Sequence, residues 1–249
     1  MLKRTIVLAV YLLVLLLGVT VSVHSRTGAA ASGREVSAAT RLENVRIEAQ
    51  GVDSLFAKLS LNYDIPIGLE VAAGEDELAI YQLDLKEGTL SDLLTQFTAR
   101  YDRYAWNIQG GVVNVSPKDA YRDTLFRDLL ETGISRFSVK KNTSCRDLVR
   151  SLVETPEIRR VIEGHGTRYR ARNFSGAYIP QVGREFTLDL SGVALKPLLN
   201  KVIGTSPTAR FWLVTRNSYD QTILLDLNAR HEDLPPGVTF PPILQPGDH

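Results

Sequence analysis

Residue types able to do covalent chemistry are sparse in this 249-residue chain, which has one cysteine and four histidines. Cys145 as nucleophile with His165 as its base would be the minimal pair for thiolate chemistry. Cys145, however, opens a helical stripe of Cys145, Leu148, Val149 and Leu152, a place suited to a small buried residue. His165 stands between Gly164 and Gly166, in what reads as a flexible loop with no carboxylate evident to orient it. His24, His231 and His249 fall in the leader, the tail and the terminus. No G-x-S-x-G, H-E-x-x-H or phosphate-binding glycine loop is present. The expectation is no catalytic residue and no enzyme, with a periplasmic hydrolase using Cys145 as the alternative. One Cys and four His are too few for a structural zinc site, and a lone thiol allows no internal disulfide. No metal and no cofactor are expected.

Two further stretches carry charge chemistry. Glu75-Asp76-Glu77 offers three adjacent carboxylates, short of the six to eight oxygens of a calcium loop, and reads as a solvated loop between strands. Asn114, Asn142 and Asn173 each open a glycosylation sequon, a pattern frequent by chance. Arg159, Arg160, Arg168, Arg170 and Arg172 are interleaved with Tyr169, Phe174 and Tyr178. Guanidinium groups fork onto carboxylates and phosphates, while aromatic rings supply stacking area. Arg159, Arg160, Arg168, Tyr169, Arg170 and Arg172 are therefore the candidate partner-binding residues, for an acidic protein surface, an anionic cell-wall polymer or lipid headgroups. The rival is a solvated loop balanced by Glu157, Glu163 and Glu185.

The elements that must position these groups repeat along the chain. Leu83-Asp84-Leu85-Lys86-Glu87-Gly88-Thr89-Leu90-Ser91-Asp92-Leu93-Leu94 aligns with Leu188-Asp189-Leu190-Ser191-Gly192-Val193-Ala194-Leu195-Lys196-Pro197-Leu198-Leu199 at an offset of 105, with six of twelve positions identical. Each copy passes from strand alternation to a helical stripe at i, i+3, i+4 and i+7: Leu90, Leu93, Leu94 and Phe97, then Leu195, Leu198, Leu199 and Val202. Thr89 is placed to cap the first of these helices. Val52, Leu55, Phe56 and Leu59 form a matching stripe after the strand Val45-Ile47-Ala49, as the Cys145 stripe does after Phe137-Val139. Aromatic strands follow at Tyr104–Ile108 and Phe211–Val214, then closing strands at Val112–Val115 and Ile223–Leu225, the first across Gly110-Gly111. The predicted fold is α+β: two tandem small domains, each β-α-β-β-α-β-β with two helices on one face of a mixed sheet, after an N-terminal hydrophobic helix.

The domain boundaries follow. Residues 1–25 read as a signal peptide or signal-anchor, 26–42 as a flexible linker, 43–116 as the first domain and 117–134 as a connecting helix entered at Pro117. Residues 135–227 form the second domain, with an insertion at 156–182, and 228–249 a proline-rich tail. On Val45-Ile47 leading to Val52-Leu55-Leu59, Ile65-Pro66-Ile67-Gly68-Leu69-Glu70-Val71, Leu83 to Leu94, Tyr104-Trp106-Ile108 and Val113-Val115, residues 43–116 resemble a secretin and TonB N-terminus short (STN) domain. Residues 135–227 resemble a divergent second copy. The resemblance implies periplasmic, non-catalytic docking units for partner proteins. Unlike the usual setting of that family, no barrel or secretin core follows the second copy before His249.

Composition narrows the compartment. Lys3 and Arg4 precede an apolar run from Thr5 to Val23, whose 19 residues would span about 28 Å as a helix, close to a bilayer core. Val23-His24-Ser25 offers a cleavage site, and a retained helix in the inner membrane fits equally well. Either way, the rest of the chain is expected to be periplasmic or otherwise extracytoplasmic. With 29 Lys+Arg against 28 Asp+Glu, the chain lacks the cationic excess of a nucleic-acid binder. The functional expectation is a docking module of the bacterial cell envelope with a protein partner. The alternatives are the hydrolase and a binder of peptidoglycan or another anionic polymer, and the membrane is touched only through residues 5–23.

Overall fold

A computed structural model describes residues 36–140, 143–170, 187–206, 209–217 and 220–229. The leader at 1–25, most of the linker and the tail from 230 onward lie outside the described residues. Among the described residues, no helix is long and apolar enough to cross a membrane. The fold is α+β, with a mixed sheet and, among the described residues, six α-helices.

Alternating apolar residues set the first strands. β1 (Arg41–Gln50) pairs antiparallel with β3 (Ile80–Thr89), placing Val45 opposite Leu85 and Ile47 opposite Leu83. Between them come α1 (Val52–Tyr63) and the short, fully buried β2 (Ile67–Glu70). The segment just before β1 is part of this structure, not linker: Val36 is buried, and Ala38 O and Thr40 O accept from Ser91 N and Leu90 N. α2 (Leu90–Arg100) starts at Thr89, whose hydroxyl accepts from Asp92 N at 3.2 Å while Asp92 Oδ2 accepts from Thr89 N at 2.8 Å. This reciprocal cap satisfies two otherwise orphaned donors. β4 (Tyr104–Gln109) and β5 (Val112–Pro117) close the half as a hairpin over Gly110-Gly111, both at positive φ.

The link to the second half departs from a single helix. Pro117 ends β5, a 3-10 turn spans Asp119–Tyr121, and α3 (Thr124–Glu131) begins only where Asp123 accepts from Leu125 N at 2.8 Å. The second half then runs β6 (Gly133–Val139), α4 (Cys145–Val153), α5 (Pro156–Gly164), β7 (Arg168–Tyr169), β8 (Leu188–Ala194), α6 (Leu195–Thr205), β9 (Ala209–Asn217) and β10 (Thr222–Ala229). The start of the expected insertion is thus a helix with Pro156 in its first turn, followed by a strand. Residues 171–186 lie outside the described residues.

Pairing in the second half reproduces the first. β6 lies antiparallel to β8, with Val139 opposite Leu188 and Phe137 opposite Leu190. β7 runs parallel to β10 as β2 does to β5, and β9–β10 form a hairpin like β4–β5. Three strands from each half join into one six-stranded sheet, β4-β5-β2-β9-β10-β7, through parallel pairing of β2 with β9. The helices were expected on one face of a sheet, yet they lie between two. α1 packs on β1 and β3 on one side and on β2 and β9 on the other, while α6 packs on β8 and β9. Stripes with four buried residues each fill that space; Leu90, Leu93, Leu94, Leu195, Leu198 and Leu199 are wholly buried. A second layer is required because a two-stranded sheet is too narrow to cover a helix face alone.

Two apolar clusters result, and each borrows from the other half. Phe211 and Leu213 of β9 pack in the first cluster, whereas Trp212 and Val214 pack in the second, joined by Val112 of β5. β9 is therefore buried on both faces, as parallel-paired interior strands are.

Candidate docking groove

Polar side chains brace the seam between the halves. Ser60 Oγ lies 2.7 Å from Ile65 O and 2.8 Å from Arg210 O, its one proton shared between the two carbonyls, and Arg210 Nε pairs with Asp64 at 2.6 Å. Trp212 Nε1 donates to Asn200 Oδ1 at 2.8 Å, and Asn200 Nδ2 donates to Asn114 Oδ1 at 2.9 Å, all three side chains being buried. Burial and this bonding rule Asn114 out as a glycosylation acceptor. Gly68 lets the indole lie directly on β2, since a Cβ there would stand 2.1 Å from Trp212 Cε2. Glu70, with no side-chain exposure, receives Arg122 Nε at 2.7 Å and Nη2 at 3.2 Å. Nearby, burial holds the Lys196 ammonium below its ordinary range, against the opposing pull of Glu70.

Where the seam ends, a groove opens. β2 keeps its place beside β9 as far as Val71 N, which donates to Val214 O at 3.1 Å. The chain then turns away, and Ala73 N donates to Tyr121 O at 2.9 Å. Among the described residues, β9 continues to Asn217 with only β10 as a strand neighbour. The resulting cavity, about 850 Å³, is walled by Gln50–Ser54, Val71–Glu77 and the β9–β10 hairpin. That volume lies in the upper part of the range of ligand-sized clefts, roughly 300–1,000 Å³.

The acidic run forms part of this wall, and its residues do not behave alike. Glu75 turns inward, with only 8% side-chain exposure. Its Oε2 accepts from Tyr104 Oη at 2.7 Å, its Oε1 accepts from Tyr81 Oη, and Arg103 Nη1 lies 3.6 Å away. Tyr104 Oη also accepts from Ala72 N at 3.1 Å, and Arg103 donates to Ala73 O and stacks over Tyr121. Burial, with the Glu75 carboxylate adding to it, holds both phenols well above the ordinary range. A loop expected to be solvated is thus pinned at its centre, leaving Asp76 and Glu77 exposed. Among the described residues, the exposed large apolar side chains are Leu78, Ile80 and Tyr121, which do not line the groove themselves but neighbour residues that do. Leu78 follows Glu77, Ile80 sits opposite Gln50 across β1–β3, and Tyr121 is bonded through its carbonyl to Ala73.

The arginine-rich stretch is divided by the fold. Arg159 and Arg160 are exposed on α5; Arg168 and Tyr169 form β7 on the sheet edge; Arg172 lies outside the described residues. Arg159, Arg168 and Tyr169 share a depression of about 420 Å³ with Arg150, Glu154 and Glu163. Arg170 instead lines the larger groove and pairs with Asp220 at 3.2 Å. His165 is not without a carboxylate: it ends α5 with Nε2 3.0 Å from Asp128 Oδ2. This bond holds the Asp128 carboxyl below its usual range. Cys145 is buried, and burial pushes its thiol up to about 12. Among the described residues, no three His, Cys, Asp or Glu side chains are grouped to hold a metal ion. Reasoning from sequence missed Tyr81, Arg103, Tyr104, Asn200 and Arg216, because the strand and helix patterns mark them only as aromatic, polar or charged. Glu70 and Asn200, polar residues within buried runs, were the available signals. Compared with family models, with curated proteins and with solved structures, the chain matches none.

Proposed function

We propose that the chain is an exported, non-catalytic docking module of the bacterial cell envelope, built from two tandem STN-like units, with the leader at 1–25 directing it out of the cytoplasm. The single observation that carries this reading is the groove of about 850 Å³ at the end of the seam, with exposed Leu78 following its lining residue Glu77. The equivalent pairing of β1–β5 and β6–β10 supports the tandem units. Burial of the thiol speaks against Cys145 as a nucleophile, since the thiolate is the reactive form. The test is a photo-crosslinking residue at Leu78, with Lys86 at the far end of β3 as control, in cells whose periplasm is fractionated. A discrete adduct from position 78 in the periplasmic or inner-membrane fraction, absent from position 86, is expected. Equal labelling from both positions, or a cytoplasmic chain, rejects the reading.

The convergence of Arg150, Arg159 and Arg168 around Tyr169 favours a second reading, capture of an anionic envelope polymer. Co-sedimentation with isolated sacculi, lost on replacing Arg159 and Arg168 with Ala and weakened by salt, would support it. Salt-independent or unchanged sedimentation would remove it.

A further inference from the structure

We propose that the groove receives an extended, basic segment of a partner protein, which continues the line of β2 along β9. The proposal rests on the docking reading above and specifies the chemistry of the occupant. Three observations carry it independently. The first is an open edge within the groove. β2 leaves β9 at Val214, and among the described residues no strand lies on the side that β2 vacates, toward which strand alternation turns the N–H and C=O of Arg216. A peptide entering there would form main-chain hydrogen bonds with β9 in register with the existing sheet, the usual mode of strand addition. β9 already pairs in this way with β2, so neither its backbone nor its twist need change.

The second observation is charge. The groove is lined by Asp53, Glu75, Asp76, Glu77 and Asp123 against Arg170 and Arg216. Both arginines are already engaged, Arg216 with Asp123 at 3.3 Å and Arg170 with Asp220 at 3.2 Å. Glu75 is held by its tyrosines and Arg103. Among the described residues, no side-chain cation pairs with Asp53, Asp76 or Glu77, all three of which line the groove. A cationic segment would supply the counter-charge, and complementary charge of this kind speeds encounter and excludes acidic competitors. The third observation is three exposed apolar residues next to groove residues, Leu78 after Glu77, Ile80 opposite Gln50 and Tyr121 bonded to Ala73, which offer contacts to the segment's apolar residues where it leaves the groove. Alternating side chains of an added strand point to opposite faces, so a basic-apolar alternation would meet both walls.

The test uses fluorescein-labelled peptides of alternating Lys and Val, a counterpart with Glu for Lys, and a counterpart with Pro for the central Val, read by anisotropy against the full-length chain. The Lys–Val peptide is expected to bind at least tenfold tighter than the Glu–Val peptide, and the advantage to shrink as salt screens it. The Pro peptide, which lacks a ladder donor, should lose most of the affinity. Replacing Asp53 and Asp76 with Asn and Glu77 with Gln should cost tenfold or more, mainly in association rate. Asn keeps the Oδ1 acceptor that Asp76 offers to Leu78 N, and melting curves check that the fold persists. If Lys–Val peptide binds the triple variant undiminished, or fails to bind the wild type, the basic occupant is overturned. Leu78→Ser with Ile80→Ser separates the two readings. Weakened binding in this variant beside an unaffected triple variant leaves docking standing without the basic partner, whereas silence in both variants overturns docking at this groove as well.

Discussion

Gly68→Ala tests whether the two halves are truly locked through β2 and β9. The added methyl would lie 2.1 Å from Trp212 Cε2, 2.3 Å from Cζ2 and 2.4 Å from Nε1, so the ring or the strand must move. Crowding of this kind costs about 1–3 kcal/mol. Moving the indole also draws Nε1 from Asn200 Oδ1, leaving a buried donor unsatisfied for about 1–3 kcal/mol more. The smaller entropy of an unfolded alanine returns about 0.4–1 kcal/mol. The net loss is about 3 kcal/mol, which for a chain of this size lowers Tm by about 6–12 °C. Urea and thermal melts followed by circular dichroism measure it. Tryptophan emission in a Trp106→Phe background isolates Trp212, which should shift to the red as it loses burial. Trp212→Phe removes the three atoms the methyl would strike. In the double variant the combined loss should therefore fall short of the sum of the single losses by at least about 1 kcal/mol. Strict additivity, or a Gly68→Ala variant as stable as the parent, would refute the close approach on which this account of the seam depends.

Arg122→Met leaves the wholly buried Glu70 carboxylate without its bidentate partner and should cost about 3–5 kcal/mol in urea melts, partly recovered by adding Glu70→Gln. At alkaline pH the chain should weaken. Burial holds Cys145 and Tyr169 at about 12 against ordinary values of 9.0 and 10.0, and Tyr81 and Tyr104 higher still. Their stabilisation is complete below the ordinary values. Between those values and the folded ones the unfolded chain releases protons that the folded chain keeps, so the urea midpoint should fall steadily from about pH 9 upward. A midpoint level to pH 11 would contradict this, as would phenolate absorbance from these tyrosines before unfolding. Cys145 should react with a disulfide reagent at pH 8 only at the rate of opening, and at once in denaturant; rapid native labelling would reopen the hydrolase alternative.

Much of the fold was legible because helix and strand periodicities differ. The stripes from Val52, Leu90, Cys145 and Leu195 are buried as expected, and Thr89 caps where its hydroxyl predicted. The 105-residue offset places Leu83 and Leu188 at matching positions opposite Ile47 and Val139. Periodicity reports which face of an element is buried, not which element buries it. It therefore could not show that the helices are covered on two sides, or that β2 pairs across the halves. The groove was less legible still. Glu75, Asp76 and Glu77 are indistinguishable along the chain, and only the convergence of Tyr81, Tyr104 and Arg103 turns one inward and leaves two facing out.

One contrast between the repeats was nevertheless readable. β4 alternates, with Tyr104, Trp106 and Ile108 toward the core and Ala105, Asn107 and Gln109 exposed. Its counterpart β9 is apolar at Phe211, Trp212, Leu213 and Val214 without a break, and all four are buried. A strand with one polar face leaves that face of the sheet to solvent, and one without a polar face needs both faces covered. The second half thus carries in its own composition the requirement for cover on both faces of β9, met by Phe211 and Leu213 in one cluster and Trp212 and Val214 in the other. The first copy makes no such demand along β4, whose polar face would have to be desolvated if another unit were stacked there. The same contrast bears on the groove. β9 is an interior strand by composition as far as Val214 and loses its neighbour only in the final stretch, where Thr215 and Arg216 are half-buried. An edge exposed only there, inside a concave acidic wall, is open to a strand of the right charge and closed to edge-to-edge pairing along its length.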